Sequence, residues 1–291
     1  MTSEFGAAST VDAALLRGWP LPEPGSSKRE RGDVLVVGGA ARSPGAAQLA
    51  GLAALRVGAG RLTLAVGSSV ASSVAVAVPE CGVVPLEETT DGGILGRSLL
   101  RVARELKTAG SVLVGPGLDD VREARRLLRR LPALVPPDIT VVLDAFALGA
   151  LAGRPGLGRV RRRILTPNTD EAALLLGRDI RDLDRDVLSI ARRYSAVVSC
   201  HGRVAAPNGR LLLVRDGGPG LGTSGSGDAL AGAIAGLAAR GCEPLQAAAW
   251  GTFLHAAAGE SLAREVAPLG FLAGEIVQRL PFELAAVEGA G

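Results

Sequence analysis

The chain has 291 residues, 47% hydrophobic and 21% charged, a balance too apolar for disorder and ordinary for a globular protein. No apolar run approaches the roughly 20 residues that span a bilayer, and residues 1–30 lack the charged-then-apolar order of a secretory signal, which excludes an integral membrane protein. The net charge is +3, carried almost wholly by arginine, and five Phe, two Trp and one Tyr offer few platforms for stacking bases, which argues against nucleic-acid binding.

Residues 1–30 are expected to be an irregular lead-in, ending in the turn-rich stretch 24–27. Residues 31–291 are expected to form one domain, since no repeat, low-complexity tract or linker divides them. Short β-branched runs closed by Gly, Pro or Asp predict buried strands at 34–37, 62–66, 112–114, 139–143, 163–165 and 197–199. Helical periodicity falls between them, at 46–57, 121–131, 171–176 and 185–194. In the second of these helices Ala124, Leu127, Leu128 and Leu131 are the apolar face, and the arginines of 125–130 are its solvated one. A further strand at 210–214 precedes Ala- and Leu-rich helices at 228–239, 244–262 and 269–280, separated by Gly241 and Pro268. Spacing places Trp250 and Phe253 in the core and makes His255 a packed, hydrogen-bonded residue. Alternation of this kind predicts an α/β protein with a mostly parallel sheet, covered by helices on both faces through right-handed connections.

The most informative segment is GGPGLGTSGSGD, residues 217–228, which runs straight into an apolar helix. Its glycines let the backbone turn sharply and approach a ligand. Unpaired N–H groups and the helix dipole favour an anion at the start of the helix. Asp228 stands there either as a cap or as a base on a hydroxyl held beside a phosphate. Other strand ends carry turns of the same kind: Gly38-Gly39 followed by Pro44-Gly45-Ala46-Ala47, then Gly115-Pro116-Gly117-Leu118, then Asp144. In an open α/β sheet ligands lie outside the carboxyl ends of the strands, so these turns describe one cleft. The segment 164–171, ILTPNTDE, runs from a strand into an acidic first turn. There Asn168 and Glu171 are either helix-capping groups or polar groups facing phosphate-bound Mg²⁺. Cys81, Cys200 and Cys242 lie far apart with no C-x-x-C pair, so neither a zinc site nor a disulfide framework is expected, and a reducing cytoplasm is.

Taken in order, GDVLVVGG, SPGAA, LRVGAG, VGPGL, VVLDAFAL, ILTPNTDE, GLGTSGSGDALAG and FLHAAAG resemble the ADP- or ATP-dependent NAD(P)H-hydrate dehydratases, from about Trp19 to Leu280. The resemblance implies a ribokinase-like fold and a metabolite-repair lyase. In that family a nucleotide phosphorylates the 6-hydroxyl of the hydrated nicotinamide ring, and loss of phosphate restores NADH or NADPH. Asp228 would be the base, and Gly225, Ser226 and Gly227 the anion hole. Ala46, Gly117 and Asn168 would contact the hydrated cofactor, and Glu171 would face Mg²⁺. The family's TPHPGE reads TPNTDE here, so Asn168 replaces a histidine and cannot shuttle a proton. The nucleotide loop, Lys-Gly-x-x-Thr in the family, is about three residues shorter here and has no lysine. That leaves His201, Gly202 and Arg203 for the nucleotide, with His201 or Arg203 supplying the charge. The resemblance also implies a cytoplasmic homo-oligomer, such as a tetramer, whose partners are nucleotide and small-molecule substrate. Two other readings stay open: a kinase for a small alcohol such as a sugar or vitamin precursor, supported by Asn168–Glu171 and Asp228, and a non-catalytic nucleotide-binding protein.

Overall fold

A computed structural model describes residues 8–154, 157–215 and 217–289. Its strands are β1 Ser9–Val11, β2 Asp33–Val37, β3 Arg61–Gly67, β4 Cys81–Leu86, β5 Ser111–Val114, β6 Thr140–Leu143, β7 Arg162–Leu165, β8 Val197–Cys200, β9 Arg203–Ala205 and β10 Leu211–Val214. The helices are α1 Ala13–Arg17, α2 Pro44–Arg56, α3 Ala71–Ala77, α4 Ala103–Thr108, α5 Val121–Leu134, α6 Phe146–Leu151, α7 Thr169–Leu176, α8 Leu183–Tyr194, α9 Ser226–Ala239, α10 Pro244–Glu265 and α11 Ala273–Glu288. All ten strands join one sheet in the order β1-β10-β9-β8-β7-β6-β5-β2-β3-β4. Every neighbouring pair is parallel except the two made by β9.

Strand residues are apolar on both faces because both faces are covered. Val34 and Val36 of β2 pack on one side with Ala50, Ala54, Ile234 and Leu237. Their neighbours Leu35 and Val37 pack on the other with Leu106, Leu127 and Leu131. This two-residue alternation inside a continuous apolar run is the mark of a central parallel strand. On α5 the apolar stripe is buried, and Arg126, Arg129 and Arg130 face solvent.

The contact between α2 and α9 has almost no side chain in it. A Cβ on Gly232 would fall 2.0 Å from the carbonyl oxygen of Ala50, and one on Gly236 would fall 2.5 Å from that of Ala54. The constant offset means that the two helices run in the same direction, backbone against backbone. In this register the position one turn before Ala50 is Ala46, and the position one turn before Gly232 is Asp228.

The amino-terminal lead-in departs from the irregular chain expected of residues 1–30. Residues 1–7 lie outside the described residues, but β1 adds in parallel to β10. Asp12 then caps α1 by accepting the Leu15 N–H at 2.8 Å. Three-residue strands and five-residue helices carry no periodicity of their own. This stretch is held instead by tertiary contacts: Gln246 donates to the Pro20 carbonyl at 2.8 Å, and the Trp250 indole donates to that of Trp19 at 3.0 Å. Among the described residues no helix is long and apolar enough to cross a membrane.

Candidate active site

The turns at the carboxyl ends of the strands are stitched to one another. After β2, the Gly39 N–H donates to the Pro116 carbonyl at 2.8 Å and the Ala40 N–H to that of Gly117 at 2.9 Å. Gly117 sits at φ +71°, and a Cβ there would lie 2.2 Å from the Ser43 carbonyl oxygen, so only glycine fits. Ser43 and Pro44 open α2 and leave Ala46 half-exposed on its first turn. Gly117 therefore packs against the opening of α2, on whose first turn Ala46 lies.

At the end of β6, Asp144 is buried with its Oδ1 2.8 Å from the Thr166 hydroxyl. Burial holds this carboxyl well above the usual range, and the nearby charges of Asp228 and Glu171 push in the same direction. The next residue, Ala145, has φ +49°, a left-handed backbone that costs a non-glycine residue of order 1 kcal/mol or more. Such strain recurs where a binding wall is held in place by its surroundings.

Asn168 and Glu171 cap α7 reciprocally. Asn168 Oδ1 accepts the Glu171 N–H at 2.8 Å, and Glu171 Oε2 accepts the Asn168 N–H at 2.9 Å. The capping reading is thereby realised, while Glu171 Oε1 and the Asn168 amide nitrogen keep no partner among the described residues. Partial burial raises the Glu171 carboxyl. Among the described residues no group of three His, Cys, Asp or Glu side chains could hold a metal by itself.

The glycine-rich segment delivers the start of α9. Gly225 is the N-cap at φ +87°, packed against Leu49 and Ala273. The Ser226 N–H turns back to the Thr223 carbonyl at 3.2 Å. The N–H groups of Gly225, Gly227 and Asp228 have no backbone acceptor among the described residues and remain for an anion. Of the expected anion hole, Gly225 and Gly227 keep free amides, while the Ser226 N–H is taken by Thr223 and its hydroxyl lies 2.9 Å from His255 Nε2. Asp228 stands in the first turn, its carboxyl pushed up to about 6 by burial and by the charge of Glu171.

A cavity of about 610 Å³ opens beside this helix start, lined among others by Asn168, His201, Gly202, Arg215, Ser226 and Gly227. A larger one, about 860 Å³, lies at the opposite ends of β2, β3 and β5. Its Arg61 and Asp33 satisfy each other, and it holds none of the strand-end turns, so the smaller cavity is the one with chemistry. The shortened nucleotide loop is a two-residue hairpin joining β8 to β9. His201 at φ +44° and Gly202 at φ +72° give it the twist that tight hairpins require. Arg203, expected at the nucleotide, points elsewhere: its guanidinium pairs with Asp184 at 3.0 Å and donates to the His201 carbonyl at 3.1 Å. The cation at the cavity is Arg215, exposed at the end of β10 with no carboxylate partner among the described residues. Sequence reasoning passed over it, since position in the chain alone does not say which arginine reaches the cavity.

The family model for NAD(P)H-hydrate dehydratase matches residues 34–281. The chain is 46% identical over 280 residues to the ADP-dependent (S)-NAD(P)H-hydrate dehydratase of Xanthomonas campestris pv. campestris, covering 94% of each chain. It is 31% identical to the bifunctional NAD(P)H-hydrate repair enzyme of Escherichia coli, over 92% of this chain but 50% of that protein. The structure of the Bacillus subtilis ADP/ATP-dependent NAD(P)H-hydrate dehydratase, co-crystallised with ATP and Mg²⁺, superposes with a TM-score of 0.82 at 26% identity. That match covers 97% of this chain and 99% of that one. With its ribokinase-like sheet, its strand-end cleft and Asp228 at the start of α9, this chain belongs to the NAD(P)H-hydrate dehydratase family.

Proposed function

We propose that the protein converts hydrated NADH or NADPH back to the intact cofactor at the expense of ADP or ATP, with Asp228 as the catalytic base. The observation that carries this reading is the side-by-side start of two helices. α9 offers Asp228 and free N–H groups, and α2, which runs alongside it in the same direction, carries Ala46 on its first turn. A hydrated nicotinamide ring beside Ala46 and Gly117 would have its hydroxyl within reach of both.

Asp228 accepts the proton of the 6-hydroxyl as that oxygen attacks the terminal phosphorus of the nucleotide. The amides of Gly225 and Gly227 stabilise the charge growing on the phosphoryl oxygens, and AMP or ADP leaves. The ring nitrogen's lone pair then expels orthophosphate from the neighbouring carbon. Loss of a proton from the adjacent ring carbon restores the double bond. His201, Gly202 and the cavity wall receive the rest of the nucleotide, with Arg215 supplying the charge expected of His201 or Arg203. Asn168 positions the hydrated ring. Glu171 suits Mg²⁺, which takes one or two carboxylates and keeps waters and phosphate oxygens; when bound, the ion neutralises phosphate charge. The kinase alternative rested on Asp228, which both readings use, and on Asn168–Glu171, a pair whose spacing helix capping already explains.

A cytoplasmic homo-oligomer forms part of the same proposal, and analytical ultracentrifugation measures the assembly. For the reaction, hydrated NADH with ADP or ATP is expected to yield NADH and orthophosphate in equal amounts. A stable phosphate ester made from a small alcohol, with hydrated NADH untouched, would reverse the reading.

A further inference from the structure

Behind the start of α9 lies a buried histidine that the reaction above does not use. His255, on α10, places its Nε2 2.9 Å from the Ser226 hydroxyl oxygen and 3.0 Å from the Ser226 carbonyl oxygen. His255 and Ser226 are both buried and both line the 610 Å³ cavity. A carbonyl oxygen can only accept, so the nitrogen facing it must carry the hydrogen; a bare Nε2 would set lone pair against lone pair. A neutral imidazole has one N–H, and here it is committed to Ser226 on both counts. Burial keeps the ring neutral, with its pKa pushed down to about 4.

The consequence falls on Ser226. Its hydroxyl oxygen faces a donor, so its own hydrogen is not needed there and is left to turn into the cavity. Beside the free amides of Gly227 and Asp228, that hydrogen makes one more donor for an anion. We propose that His255 is a positioning residue that fixes the polarity of the Ser226 hydroxyl, so that Ser226 donates to a phosphate oxygen of the bound nucleotide. The inference rests on the proposed function only in placing a nucleotide phosphate at the start of α9. His255 acts on the phosphate through Ser226.

The test begins with the unaltered protein. The chain has two histidines, His201 and His255, so ¹⁵N-histidine labelling with long-range ¹H–¹⁵N NMR resolves both, and His201→Gln identifies His255 by elimination. At neutral pH the Nε2–H tautomer is expected; an Nδ1–H tautomer or a charged ring overturns the proposal. Calorimetry with ADP supplies the second readout. Ser226→Ala and His255→Leu should each weaken ADP binding about ten- to a hundredfold, the scale for losing one hydrogen bond to a charged group. The double variant should bind no worse than Ser226→Ala alone, because His255 acts through the hydroxyl it no longer has. His255→Gln, whose amide nitrogen can take the place of Nε2–H, should restore most of the affinity. Additive losses in the double variant, or a His255→Leu protein with unchanged ADP affinity, would overturn the proposal. Neither readout uses hydrated NADH, so a protein that passes both yet fails to repair that substrate refutes the dehydratase reading and leaves this one standing.

Discussion

Asn168 and Glu171 hold each other, each side chain accepting the other's backbone N–H at 2.8 and 2.9 Å. Substituting Asn168 with Ala removes the cap of α7, an effect worth about 1 kcal/mol. It also frees Glu171 to change rotamer. Denaturant unfolding of Asn168→Ala should show that loss. A variant as stable as the parent would mean that α7 is held by packing alone.

Asp228→Asn keeps the shape of the carboxyl and removes the base. Turnover should fall by a factor of about 10² to 10⁴ while ADP still binds. In the parent, the free-enzyme kcat/KM should fall about tenfold per unit below pH 6, because Asp228 must be ionised to accept a proton. Near-parental turnover in a folded Asn variant would remove Asp228 from the reaction.

The same carboxyl costs stability. Its pKa in the folded chain, about 6, is above its ordinary value of 3.8, so the folded state takes up the proton first. The protein therefore gains stability as pH falls through about 6 toward 4, and above 6 it carries the full cost of a buried charge. Asp228→Asn should unfold at higher denaturant than the parent at pH 8, by about 1–3 kcal/mol, with the gap closed near pH 4. Thermal or urea unfolding across that range measures it, and a gap that widens on acidification would contradict the assignment.

Arg215 and Arg203 should behave differently toward the nucleotide. Arg215→Ala should weaken ADP binding about tenfold or more, the usual scale for a charge-assisted hydrogen bond. Arg203→Ala breaks the partly exposed pair with Asp184, costing at most about 1 kcal/mol of stability and little affinity. Calorimetry on the two variants separates them. Equal losses of ADP affinity would return Arg203 to the nucleotide site.

Sequence periodicity foretold β2, β3, β5, β6, β7, β8 and β10 and missed β1, β4 and β9, for a physical reason. β2, β5, β6 and β8 are buried along nearly all of their length, and β7 ends in the buried Ile164 and Leu165, so each contributes a short buried run. β4 lies at an edge, is largely open to solvent and contains Pro85, which an edge strand tolerates and an apolar-run search rejects. β9 is three residues long and exists because His201 and Gly202 turn the chain onto β8. Asp228 was legible because glycines, hydroxyls and an acid at a helix start form a local pattern. Arg203 and Arg215 were not separable that way. Which arginine reaches the cavity depends on Asp184, nineteen residues before Arg203 in sequence, being close enough to capture it.

The bare contact between α2 and α9 gives the molecule a fixed gauge. Under the proposed function one helix start serves the damaged ring and the other the phosphate, and the seam behind them is set by Gly232 against the Ala50 carbonyl and Gly236 against that of Ala54. Side chains in such a seam could swap rotamers and let the two ends drift; main chain cannot. A reaction that joins an oxygen on one ligand to a phosphorus on the other tolerates little drift, since small misplacements are costly for in-line transfer. A single methyl group at position 232 would act as a shim, spreading the two helix starts with every reacting group still present.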